Sequence, residues 1–159
     1  MKLNKEILLN VKNLCVRTLE NSKHQNLIDG VSFDIKKNEI VGLIGESGSG
    51  KSLTSLSILG LLEKNKFNIS GEIIFNGNNL LDLDNNAMME IRGSEISMIF
   101  QEPMSALNPT MKIGKQIFEV FKAHKNLSYK NTTERIKKLI KKVILNNVEN
   151  LLDKYPHQI

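Results

Sequence analysis

Apolar and polar positions alternate from Ile7 to Leu19, and again from Leu27 to Ile35 with Leu27, Val31, Phe33 and Ile35 as apolar markers. A period of two predicts half-buried strands. The polar stretch Asn21–Asn26 between them predicts a turn, so the two strands should run antiparallel. Glu39–Ile44 is different: it is short and nearly all apolar, as expected of a strand buried on both faces of a parallel sheet. A mostly apolar helix is predicted over Leu53–Leu62, and a further strand over Ile69–Gly77. Asp82–Arg92 reads as a helix with Asp84 as N-cap and with Met88 and Met89 as packing residues. Glu95–Phe100 is a second strand of the buried type. Gln101–Thr110 is a loop, interrupted by Pro103 and Pro109. Ile113–His124 predicts a helix with Ile113, Ile117, Val120 and Phe121 on one face. Asn131–Leu145 predicts another, started near Thr132, Thr133 and Glu134, and Val148–Leu152 a short helical turn.

Composition narrows the class. The chain has 159 residues, 40% of them hydrophobic and 25% charged. That is enough for one domain with a core, within the range of soluble proteins. No apolar run reaches the length of a membrane span, and Met1–Glu6 lacks the apolar segment of a signal peptide, which predicts a cytosolic protein. Cys15 is the only cysteine. An internal disulfide is excluded, and an inert buried thiol is the expectation. The net charge is +5. Much of the excess falls on Lys130, Arg135, Lys137, Lys138, Lys141 and Lys142. Between them Ile136, Leu139, Ile140, Val143 and Ile144 recur at helical spacing. An amphipathic helix with a solvated lysine face accounts for this. No aromatic residues are interleaved for base stacking, so nucleic acid is not the expected partner.

The candidate chemistry lies in Gly45-Glu46-Ser47-Gly48-Ser49-Gly50-Lys51-Ser52. Gly, four residues, then Gly-Lys-Ser is the spacing of a phosphate-binding loop. Glycines let the backbone curl so that successive N–H groups point at phosphate oxygens. Lys51 is a mobile point charge for the β- and γ-phosphates. The Ser52 hydroxyl is a hard oxygen suited to Mg²⁺. The following helix turns its positive dipole end toward the same anion. A strand, the loop and a helix come in the required order. Glu46, at a variable position, reads as solvated.

A second marker follows the Glu95–Phe100 run. There Gln101-Glu102-Pro103-Met104-Ser105-Ala106-Leu107-Asn108-Pro109 resembles the Q-loop of ATP-binding cassette (ABC) ATPases. Together with the phosphate loop, Asp29-Gly30-Val31-Ser32-Phe33 and Tyr155-Pro156-His157-Gln158, it is similar to the oligopeptide/dipeptide/nickel importer branch over essentially the whole chain. The resemblance implies an α/β P-loop NTPase fold: an ABC nucleotide-binding domain with N-terminal antiparallel strands and the start of a helical subdomain. It implies a core over 1–100, with the Q-loop and a partial helical subdomain over 101–159. It assigns ATP to Gly45, Glu46, Ser47, Gly48, Ser49, Gly50, Lys51, Ser52 and Leu53, Mg²⁺ to Ser52 and Gln101, and catalytic roles to Lys51 and Gln101.

The implied activity is ATP hydrolysis coupled to peptide, or in some members nickel, import at the cytoplasmic face of the membrane. The implied partners are two permease subunits, a second ATP-binding subunit and, indirectly, a substrate-binding protein. Two departures accompany the match. The turn before the loop carries no aromatic ring to stack on adenine; His24 is the nearest ring. The Ser-Gly-Gly signature, an Asp-Glu-terminated strand and the histidine switch do not occur in the 159 residues. The chain is therefore expected to correspond to the N-terminal part of such an ATPase, to be marginally stable, to bind nucleotide weakly and to hydrolyse it negligibly alone. A non-transport ABC ATPase acting on nucleic acid or ribosomes, and a small P-loop kinase, remain as alternatives. The chain has few arginines for a kinase lid, and the Gln101–Pro109 block favours transport.

Overall fold

The computed structural model describes residues 6–19, 25–124, 129–143 and 148–159. They fall into two compact units, Met1–Met89 and Glu90–Ile159.

The first unit is built on an antiparallel sheet of order β2-β1-β3-β4, formed by β1 (Ile7–Thr18), β2 (Asn26–Lys36), β3 (Phe67–Phe75) and β4 (Asn78–Asn79). Strict alternation cannot by itself explain β1. Its buried residues are Leu9 and Val11, then Leu14 and Val16, so the phase slips by one residue. A bulge absorbs the slip. Asn13 takes φ 48°, and the register against both neighbouring strands shifts between Val11 and Cys15. All four apolar side chains thereby stay on one face. β3 meets the bulge with Gly71, at φ 104°, where a Cβ would lie 2.5 Å from the Asn13 carbonyl oxygen. The Asn13 N–H donates to the Ser32 hydroxyl at 2.8 Å. β2 slips phase in the same way between Ile28 and Val31, through Gly30 at φ 67°.

Cys15 is half-buried, not sealed in apolar packing as its sequence context suggested. It accepts a hydrogen bond from the Gly30 N–H at 3.2 Å and lies 3.9 Å from an Asp29 carboxylate oxygen. The polar bulge of β2 brings these groups to the thiol.

Helix α1 (Lys51–Ile58) ends earlier than the apolar run suggested. The Leu61 N–H donates to Leu56 O and the Gly60 N–H to Ser57 O, with Gly60 at φ 61°. This Schellman closure stops the helix, leaving Leu59 and Leu62 to be buried from the following turn. In α2 (Asn85–Ile91), Asp84 caps as expected, accepting from the Ala87 N–H at 2.8 Å. Met88 is buried, whereas Met89 is exposed.

Two expectations fail. Glu39–Ile44 joins no ladder, and Ile40 and Ile44 are 101% and 95% exposed. After β2 the chain turns at Lys37 and Asn38 (φ 58°), and the Lys36 N–H donates to the Glu39 carboxylate. Among the described residues no strand flanks the segment, and an apolar run becomes a central strand only when neighbours take its N–H and C=O groups. Glu95–Phe100 likewise forms no strand. Among the described residues its one bridge is that between Arg92 and Ile96, and Ile99 is exposed.

The second unit is helical: α3 (Ile113–His124), α4 (Tyr129–Val143) and α5 (Val148–Leu152). Ile136 and Ile140 of α4 form its core with Ile117, Phe118, Phe121, Leu151 and Leu152. The inward face of α3 thus includes Phe118, while Val120 is exposed. Helix α4 begins before the threonines proposed as its start, and Thr132 is buried within it. The first turn of α3 is pinned to the end of α5. The Ile113 N–H donates to Lys154 O at 2.9 Å, and a Cβ on Gly114 would lie 2.7 Å from Leu152 O.

Candidate phosphate-binding site

The loop Gly45–Gly50 leads into α1, with Gly48 and Gly50 at φ 80° and 90°. A side chain at either would strain the backbone. Gly45 is also closely covered: a Cβ there would lie 2.6 Å from the Ser49 hydroxyl oxygen. Gly50 lies against β2, where a Cβ would stand 3.2 Å from Ile28 Cγ1 and 3.4 Å from Leu27 O. The loop's exit is therefore seated on the sheet beside the β2 bulge.

The first N–H groups of any helix lack intrahelical acceptors. Here the N-cap is Gly50 and no side chain caps the helix. Those donors are free for an external anion, at the end where the helix dipole is positive. Lys51 folds back over the loop. Its Nζ donates to Gly45 O at 2.8 Å, Glu46 O at 2.6 Å and the Ser49 hydroxyl at 3.3 Å. The ammonium is thus held over the loop by neutral oxygens, which a phosphate can displace because it adds attraction between opposite charges.

Helix α1 carries four hydroxyl residues. Thr54, Ser55 and Ser57 donate to the carbonyls of Gly50, Lys51 and Leu53, which satisfies them as they are wholly or partly buried. Ser52 is exposed and makes no such bond. Its oxygen fits a hard divalent cation. Glu46 is exposed, as expected.

Gln101 belongs to the second unit, in a bend where it is exposed. The loop after it is more ordered than its prolines suggested. Ser105 returns two hydrogen bonds to Glu102 O, at 3.1 Å from its N–H and 2.6 Å from its hydroxyl. Asn108 Oδ1 accepts from the N–H and hydroxyl of Thr110. Gln116 of α3 fastens this stretch, donating to Asn108 O and Met111 O and accepting from the Asn108 N–H. Sequence reading passed over Gln116. Its signal was an uncharged polar residue one turn into an amphipathic helix, just after a proline-containing loop. His24, considered for adenine stacking, lies outside the described residues.

The family model described as ABC transporter matches residues 28–159. The chain is 44% identical over 154 residues to the dipeptide transport ATP-binding protein DppD of Lactococcus lactis subsp. cremoris, covering 96% of this chain and 44% of that protein. It is 43% identical over 153 residues to the oligopeptide transport ATP-binding protein AppD of Bacillus subtilis, covering 96% and 47%. The chain thus spans about half the length of the curated relatives it matches. Among solved structures, the fold matches the dimeric structure of MJ0796, a bacterial ABC transporter cassette. The TM-score is 0.78 at 24% identity, over 95% of this chain and 62% of that one.

Proposed function

We propose that this chain, which belongs to the ABC transporter family, is the ATP-binding part of a subunit that couples ATP hydrolysis to peptide import. The observation that carries this reading is the phosphate loop: positive-φ glycines, an uncapped helix start and Lys51 Nζ within 2.8 Å of Gly45 O. Peptide as cargo is supported by the names of relatives that are 43 and 44% identical.

In this reading the amides from Gly48 to Leu53 receive the phosphate oxygens. Lys51 exchanges the carbonyls of Gly45 and Glu46 for the β- and γ-phosphates. Ser52 would supply a hard oxygen ligand to Mg²⁺, and for Gln101 the resemblance of its loop would imply a role as metal ligand and in orienting the attacking water. When bound, Mg²⁺ would offset part of the phosphate charge. Residues 1–159 alone position ATP but turn it over negligibly, because phosphoryl transfer depends on positioning and charge stabilisation beyond what this loop supplies. The proposed partners are two permease subunits, a second ATP-binding subunit and, indirectly, a substrate-binding protein. The subunit would sit peripherally on the cytoplasmic face of the membrane. Among the described residues no helix is long and apolar enough to cross a membrane.

Calorimetric titration of the purified chain with Mg-ATP tests the site. Saturable binding is expected, weakened at least about tenfold by Lys51→Ala, which removes a charge-assisted contact. Equal binding by wild type and variant would overturn the assignment. Peptide uptake by vesicles carrying the longer subunit and its permeases tests the cargo.

A further inference from the structure

We infer that Gln116 is a positioning residue for Gln101, an assignment that rests on the metal- and water-orienting role proposed for Gln101. Its amide clips the loop that follows Gln101 to helix α3, and so sets where the Gln101 side chain stands. Leu107 is half-buried, whereas the other residues from 101 to 110 are exposed. A segment with so little apolar packing is held by its hydrogen bonds. These follow one another along the chain. Ser105 bonds twice to Glu102 O, at 3.1 Å from its N–H and 2.6 Å from its hydroxyl. The Leu107 N–H donates to Met104 O at 3.2 Å, and the Met111 N–H to Asn108 O at 3.2 Å. Asn108 Oδ1 accepts from the Thr110 N–H at 3.0 Å and from its hydroxyl at 2.8 Å. Gln101 thus stands at one end of a string of closed turns.

Gln116 fastens the other end. Its Nε2 donates to Asn108 O at 2.9 Å and to Met111 O at 2.7 Å, and its Oε1 accepts from the Asn108 N–H at 2.9 Å. Both N–H donors of the side chain are used, and one amide holds three backbone groups across the turn. The helix that carries it is itself fixed. Ile117, Phe118 and Phe121 pack on Ile136 and Ile140, and the Ile113 N–H donates to Lys154 O at 2.9 Å. Asn108 is exposed, so water can take over its backbone contacts at small cost in stability. Water cannot restore the fixed distance between the turn and α3. Loss of the clip should therefore act on the geometry at Gln101 more than on folding, and displacement of a positioning group lowers a rate steeply.

A double-mutant cycle, read as Mg-ATP turnover by the longer subunit assembled with its permeases, tests this. Gln101→Ala should lower kcat at least about tenfold. Gln116→Met, similar in length but unable to donate to the two carbonyls, should lower kcat at least about threefold while KM for ATP changes less than about twofold. Because Gln116 acts through Gln101, the double variant should be no slower than Gln101→Ala alone, within about twofold. Gln116→Glu, which as a carboxylate keeps the shape of glutamine and has neither donor, should lose as much as Gln116→Met. Ile140→Val, in the core of the same unit, should leave kcat unchanged. Losses that multiply in the double variant, wild-type turnover in Gln116→Met or Gln116→Glu, or an equal loss in Ile140→Val would overturn the assignment while leaving the role of Gln101 intact. Wild-type kcat in Gln101→Ala would overturn that role itself, and the assignment with it.

Discussion

β1 and the Glu39–Ile44 segment are both rich in apolar residues, yet one lies at the centre of a sheet and the other pairs with nothing among the described residues. β1 presents one apolar face and one polar face. Its neighbours β2 and β3 match that pattern, down to the bulge that Gly71 accommodates. Glu39–Ile44 is apolar on both faces, so burial demands partners on each side and layers above and below. An alternating strand can be completed by a hairpin close in sequence, whereas a continuously apolar one depends on distant chain.

The sharpest way to break this contrast is at Gly71. Gly71→Val puts a β-branched residue at φ 104° against the Asn13 carbonyl, and should cost about 4 kcal/mol. Urea denaturation would register it, and a loss under about 1 kcal/mol would mean that the bulge is not held as described. Next comes the same substitution in both regions. Ile73→Ala, at a fully buried position, should cost about 3 kcal/mol. Ile40→Ala, at an exposed one, should stay within about 0.5 kcal/mol. Comparable losses would show that Ile40 is packed in solution, and with it the segment before the loop.

Hydrogen exchange reads the contrast without mutation. Amides of Leu9 and Val11 should be protected, and those of Val41–Leu43 should exchange near the free-chain rate. Gly60→Ala tests the stop of α1 at a left-handed position, with an expected loss of about 1 kcal/mol by thermal melting. A small effect should also come from Lys12→Ala. Its ion pair with Glu72, at 3.1 Å, joins β1 to β3 with both side chains about half exposed, so the loss should stay below about 1 kcal/mol and shrink further in salt.

The curl of Gly45–Gly50 into a helix was legible because its determinants are contiguous. The spacing of Gly45, Gly50, Lys51 and Ser52 sufficed to expect a curled backbone entering a helix, and the φ values of Gly48 and Gly50 agree. Asp84 was legible as a cap for the same reason. The phase slips in β1 and β2 were present in the sequence as Leu9 and Val11 followed by Leu14 and Val16, but only a bulge gives that irregularity a meaning. Gln116 could not be assigned from pattern, because its three hydrogen bonds reach back across the turn at Asn108–Met111.

The residues alone determined a family and the glycine-bearing curl that enters α1, since both are written in short-range spacing and in motifs that follow one another along the chain. Whether an apolar run becomes a strand was decided only in three dimensions. Backbone N–H and C=O groups need partners, and the pattern of Glu39–Ile44 states the need without supplying them. Tertiary structure also decided where Lys51 rests, which of the α1 hydroxyls stays free, and which side chain of α3 holds the loop before it. Each of these depends on what folds back against the residue, and periodicity carries no information about that.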